Sequence, residues 1–119
     1  MSEAVKIYHN PRCSKSRDTL SLLKSNGIEP EVVLYLETPP DAATLRELMS
    51  QLGFTSAREL MRNKEDLYKT LNLADSHLSE AELIKAMVEN PKLIERPIVV
   101  SGGKARIGRP PESVLEIVG

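Results

Sequence analysis

The 119-residue sequence has one cysteine and no tryptophan. A lone cysteine cannot close a disulfide within its own chain, which excludes oxidative stapling and makes a reducing compartment, the cytoplasm, the expected location. That cysteine and two scattered histidines offer no close-spaced ligand cluster, so no metal site is expected. Aromatic residues make up only 3%, which leaves the core to Leu, Ile, Val, Ala and Met. No apolar run approaches the ~20 residues needed to span a bilayer, and the first ten residues contain no apolar leader segment, so no membrane role is expected. Neither sign of charge dominates: 16 Lys and Arg against 17 Asp and Glu leave a net charge of -1. Without a basic stripe carrying interleaved aromatics, nucleic acid is not expected as a partner.

What is present is the make-up of one globular domain, with 40% hydrophobic and 28% charged residues. Val5 to Tyr8, with β-branched Val5 and Ile7, predicts a first strand. The polar, turn-rich stretch from His9 to Arg17 follows, and then a helix carrying Leu20, Leu22 and Leu23 and stopped by Asn26-Gly27. The nearly continuous apolar run from Val32 to Leu36 predicts a second, well-buried strand. Strand, helix and strand in that order imply a parallel βαβ unit.

From Asp41 to about Asn90 the pattern reads as wholly helical. Asp41 can cap a helix bearing Leu45, Leu48, Met49 and Leu52, while Ser56 with Glu59 and Ser79 with Glu82 have the spacing of capping boxes. Strand signals return at Pro97 to Val100 and Ala105 to Ile107, on either side of Gly102-Gly103, a pair suited to a tight hairpin turn. Arg109-Pro110-Pro111 then leads into a last helix with Val114, Leu115, Ile117 and Val118. The expected architecture is α/β: β-α-β, a helical insertion at about 41–94, then β-β-α, in a single domain spanning 1–119.

Cys13 sits between a strand end and a helix start. Free N–H groups at a helix N-terminus favour negative charge, and Arg12, Lys15, Arg17 and His9 are close in sequence. Such surroundings move a cysteine from about 8.5 into the roughly 3.5–7.5 range and make it a nucleophile. The alternative, a small buried core cysteine, fits poorly because no residue from His9 to Arg17 is large and apolar. Cys13-Ser14-Lys15-Ser16 is a C-x-x-S arrangement, so a redox cycle needs its second thiol from outside the chain. The C-x5-R cradle of cysteine phosphatases is absent, with Thr19 at that position. His9 can either stabilise the thiolate as an imidazolium or hold the loop by a hydrogen bond. Arg62, Arg96 and Arg109 are singly read as surface charges, although arginine forks also match tetrahedral oxyanions.

The sequence resembles the glutaredoxin-coupled arsenate reductase family over essentially its whole length. The matching blocks are Tyr8-His9-Asn10-Pro11-Arg12-Cys13 with Ser16-Arg17; Val33 to Glu37 with Pro39-Pro40; Arg58 to Arg62; Glu95 to Val100; and Ala105 to Pro110. The resemblance implies a thioredoxin-like fold with a four-stranded mixed sheet. It also implies reduction of arsenate to arsenite through a Cys13 thiolate and a Cys-S-arsenic intermediate. Within that scheme His9 lowers the thiol pKa, Asn10 and Ser16 support the loop, and Arg62, Arg96 and Arg109 bind arsenate or a similar oxyanion. Glutathione is implied as co-substrate and glutaredoxin as protein partner, with no tightly bound cofactor. Arg96-Pro97 falls where thioredoxin-like folds place a cis-proline facing the cysteine. Ser14-Lys15 departs from the small, uncharged residues of the family's arsenate reductases and sets an extra charge beside the nucleophile. Two other readings are a glutathione-dependent thiol oxidoreductase of another substrate and a redox-related RNA polymerase-binding regulator. The regulators with a redox switch use a C-x-x-C pair, and here Asn10 stands three residues before Cys13.

Overall fold

The computed structural model describes residues 4–118. The chain divides into two compact units: the segment up to Thr38 together with the segment from Arg96 onward, and Pro39–Glu95.

The first unit runs β1 (Val5–Tyr8), α1 (Ser14–Ser25), β2 (Glu31–Val33), then β3 (Ile98–Ser101), β4 (Lys104–Ile107) and a 3-10 helix at Pro111–Glu116. Its sheet has the order β2-β1-β3-β4. β1 is parallel to β2 and antiparallel to β3, which is antiparallel to β4, so the sheet is mixed as expected. Ile7 on β1 stands opposite Val99 on β3. Both join Leu23 of α1 and Val114 in a buried cluster, with Val5, Leu20, Ile28 and Ile117 packed around it. Leu20 and Leu23, three apart, share the inner face of the helix. Burying each such aliphatic side chain contributes about 1.5–3 kcal/mol. Gly102 and Gly103 turn the β3–β4 hairpin at φ 57° and 79°, values an L side chain rarely adopts.

Two expectations are corrected in this unit. The run from Val32 to Leu36 is not a buried strand: β2 stops at Val33, and Val32 and Leu36 are 41% and 40% exposed. Among the described residues β2 is an edge strand paired to β1, and the Leu34 carbonyl accepts from the N–H groups of Glu37 and Thr38, each at 2.9 Å, which turns the chain away. Only Tyr35 of the turn is buried. The closing helix is 3-10 rather than α and ends at Glu116.

The second unit contains α2 (Ala42–Leu52), a 3-10 turn at Ala57–Leu60, α3 (Asp66–Thr70), α4 (Glu80–Glu89) and a 3-10 turn at Pro91–Leu93. Asp41 caps α2, its Oδ1 accepting from Thr44 N at 2.8 Å. Both predicted capping boxes form, at Ser56/Glu59 and Ser79/Glu82. α2 packs on α4. The Arg58 guanidinium ties the segment between them together by donating to the Tyr68 hydroxyl and to the carbonyls of Leu73 and Asp75. The stretch is not purely helical, because Met61 forms an antiparallel bridge with Ile94.

Candidate active site

β1 delivers the chain to His9, whose N–H still reaches the Val33 carbonyl at 2.9 Å. The loop beyond it is fixed by short-range hydrogen bonds. Cys13 N donates to Asn10 O at 3.0 Å and Arg12 N to Asn10 Oδ1 at 3.0 Å. Asn10 N donates to Ser16 Oγ at 3.0 Å, and the same oxygen lies 2.6 Å from His9 Nδ1. Ser16 is fully buried, so the hydroxyl at the fourth position of the C-x-x-S arrangement is committed to the loop. The His9 pKa is lowered, first by burial and then by the charges of Arg17 and Lys24. Of the two roles open to His9, the hydrogen bond is formed and the charged form is disfavoured.

Cys13 is the N-cap residue of α1, with extended backbone at φ -95° and ψ 124°. Its thiol pKa is lowered. Partial burial is the largest single influence and acts the other way. It is outweighed by the Ser16 backbone N–H, by Arg96 through a hydrogen bond and through its charge, and by the Lys15 backbone N–H. The sulfur makes no cap hydrogen bond of regular geometry, so the pull of the first-turn N–H groups is an electrostatic one.

The positive charge acting on the sulfur differs from the one expected from neighbours in sequence. Arg12, Lys15 and Arg17 are exposed, and Arg17 directs its Nη1 to the Pro11 carbonyl at 2.9 Å. The charge comes instead from residues far along the chain. Arg96 acts on the thiol directly, and Arg109 places Nη2 3.7 Å from Cys13 Sγ while its Nε donates to Arg96 O at 2.9 Å. Both arginines precede cis-prolines, at the anticipated Arg96-Pro97 and also at Arg109-Pro110. A partly exposed thiol whose pKa is lowered, with the guanidinium groups of Arg96 and Arg109 acting on it, is equipped to receive and attack a small oxyanion. Among the described residues, no cluster of three or more His, Cys, Asp or Glu could hold a metal ion, and no helix is long and apolar enough to cross a membrane.

The sequence pattern of the ArsC family matches residues 8–117. The arsenate reductase of Haemophilus influenzae is 54% identical over 97% of this chain and 99% of its own. A protein of Escherichia coli K12 carrying the name uncharacterized protein YfgD is 79% identical over the full length of both. The solved structure of the arsenate reductase from Vibrio cholerae superposes with a TM-score of 0.97 at 59% identity, covering 99% of this chain and 100% of that one. The chain belongs to the ArsC family. Its fold is the thioredoxin-like α/β fold of the solved ArsC structures.

Arg62, the third arginine of the trio, lies just beyond the 3-10 turn at Ala57–Leu60. Its backbone N–H donates to Leu93 O at 2.7 Å. Its guanidinium pairs with Glu65 at 3.2 Å and more distantly with Glu95 at 3.9 Å.

A residue without a side chain also shapes the site, and no local sequence pattern marks it. Gly108, between β4 and Arg109, donates its N–H to Pro97 O at 2.9 Å. A Cβ there would lie 2.8 Å from Pro97 Cγ and collide with Thr19 Oγ1 of α1. The absence of a side chain lets the ArsC chain bring Arg109 against the Arg96-Pro97 segment and the cysteine helix at once. Gly108→Ala is therefore expected to cost about 1–3 kcal/mol through overpacking. It should also slow alkylation of Cys13, as read by urea unfolding and thiol trapping on the same sample.

Proposed function

We propose that this protein reduces arsenate to arsenite, with Cys13 as nucleophile and with glutathione and glutaredoxin supplying the electrons. The observation that carries this reading is the convergence of Arg96 and Arg109 on Cys13 Sγ, in a chain whose relatives include proteins named arsenate reductase. Arg62 is proposed as the third oxyanion ligand on its sequence match.

The guanidinium forks take the oxygens of arsenate, and the Cys13 thiolate attacks arsenic. A sulfur–arsenic bond forms, an arsenic–oxygen bond breaks, and the oxygen leaves as water with arsenic still pentavalent. The glutathione thiol replaces a second oxygen, again lost as water. A glutaredoxin thiolate then attacks the glutathione sulfur. A disulfide forms, the arsenic–glutathione bond breaks, and its electron pair remains on arsenic, now trivalent. Hydrolysis of the Cys13–arsenic bond releases arsenite and restores the thiolate. The lone cysteine suits this cycle, because both electrons come from outside thiols. No tightly bound cofactor is required, and a reducing cytoplasm is the compartment that supplies such thiols.

The test is a coupled assay with arsenate, glutathione, glutaredoxin, glutathione reductase and NADPH. Arsenate-dependent NADPH oxidation is expected. Glutathione turnover that ignores arsenate would instead mark a thiol oxidoreductase of another substrate.

A further inference from the structure

A cleft of about 380 Å³ opens beside the Cys13 loop, on the side of β2. That is within the roughly 300–1,000 Å³ of small-molecule sites. Pro11 and Arg12 line it from the cysteine loop, and Leu34, Leu36 and Glu37 from the turn after β2. The wall is held on both sides, by Arg12 N on Asn10 Oδ1 at 3.0 Å and by Glu37 N on Leu34 O at 2.9 Å. Its chemistry is two-ended. The Arg12 guanidinium and the Glu37 carboxylate are exposed, and among the described residues neither side chain has a hydrogen-bond or ion-pair partner. Leu34 and the 40% exposed Leu36 give the apolar surface near them.

We infer that this cleft is the binding site of the peptide thiol co-substrate, a zwitterion of the glutathione type, and that Arg12 and Glu37 determine its affinity. This rests on the reading of the protein as a glutathione-dependent reductase. A ligand with carboxylates at both ends and one ammonium matches a lone cation and a lone anion on one rim, where a simple oxyanion would meet repulsion from Glu37. A small peptide also fits the enclosed volume better than a protein surface does. Arg12 directly precedes Cys13 in the chain, so the ligand is held on the cysteine loop, while the oxyanion keeps Arg96 and Arg109.

The probe is S-methylglutathione, which cannot react, titrated into isotope-labelled protein. Shifts of the Arg12, Leu34, Leu36 and Glu37 amides are expected. Arg12→Gln and Glu37→Gln should each weaken binding about fivefold, the scale of one partly screened ion pair. In the coupled assay the same variants should raise the glutathione KM by a similar factor and leave the arsenate KM unchanged. Glutathione diethyl ester, lacking the carboxylates, should not distinguish Arg12→Gln from the native protein. Shifts confined to other residues, an unmoved glutathione KM, or an effect on the glutaredoxin KM alone would overturn the assignment. If native protein fails to reduce arsenate, the functional reading falls by itself, and the S-methylglutathione shifts still decide the cleft.

Discussion

Cys13→Ser is expected to lose arsenate-dependent NADPH oxidation by more than about 10³-fold, because a serine hydroxyl is not ionised near neutral pH and forms no reducible bond to arsenic. The same substitution should not unfold the protein. Position 13 is the N-cap of α1, has extended backbone, and lacks a cap hydrogen bond of regular geometry in the native chain. Serine is among the preferred residues there and can accept from the first-turn N–H groups. The melting temperature is thus expected to stay level or rise slightly while turnover disappears. Substantial residual turnover in folded Cys13→Ser would remove the nucleophile from the account.

Arg96→Ala should have the next largest effect, a fall in kcat/KM of about 10²–10³-fold, the range found when one donor to a developing negative charge is removed. Arg96 lowers the Cys13 pKa by hydrogen bond and by charge, so its loss leaves burial less opposed and the thiol pKa rises. A raised pKa means less thiolate at neutral pH, and the acid limb of the activity profile moves to higher pH. Arg96→Lys keeps the charge without the fork and should recover the pH profile better than the arsenate KM. A purely structural role for Arg96 would leave the acid limb in place.

The parts of this protein that were legible in its sequence are those written in short-range chemistry. The S-x-x-E spacings at Ser56 and Ser79 give capping boxes because both partners lie within one turn. Gly102-Gly103 gives a hairpin because positive φ angles are required there. Cys13 stood out because a polar loop joined a strand to a helix. The second strand was misjudged because Val32 to Leu36 reads as one apolar run, whereas the fold divides it among an edge strand, a turn and the buried Tyr35. The source of positive charge was misjudged for a related reason. Arg12 and Arg17 are near Cys13 along the chain, yet it is Arg96, brought in by the β1–β3 pairing, that acts on the thiol. Gly108 has no local signal at all. Its need for a missing side chain exists only once Thr19 and Pro97 have been brought around it.

The most direct measurement is the pH dependence of Cys13 alkylation in the native protein, followed by intact mass. No other cysteine contributes to the signal, and the urea-unfolded chain provides the ordinary thiol as an internal reference. The native midpoint is expected below that of the unfolded chain. A native midpoint at or above it would contradict a cysteine whose pKa is lowered by Arg96 and the first turn of its helix.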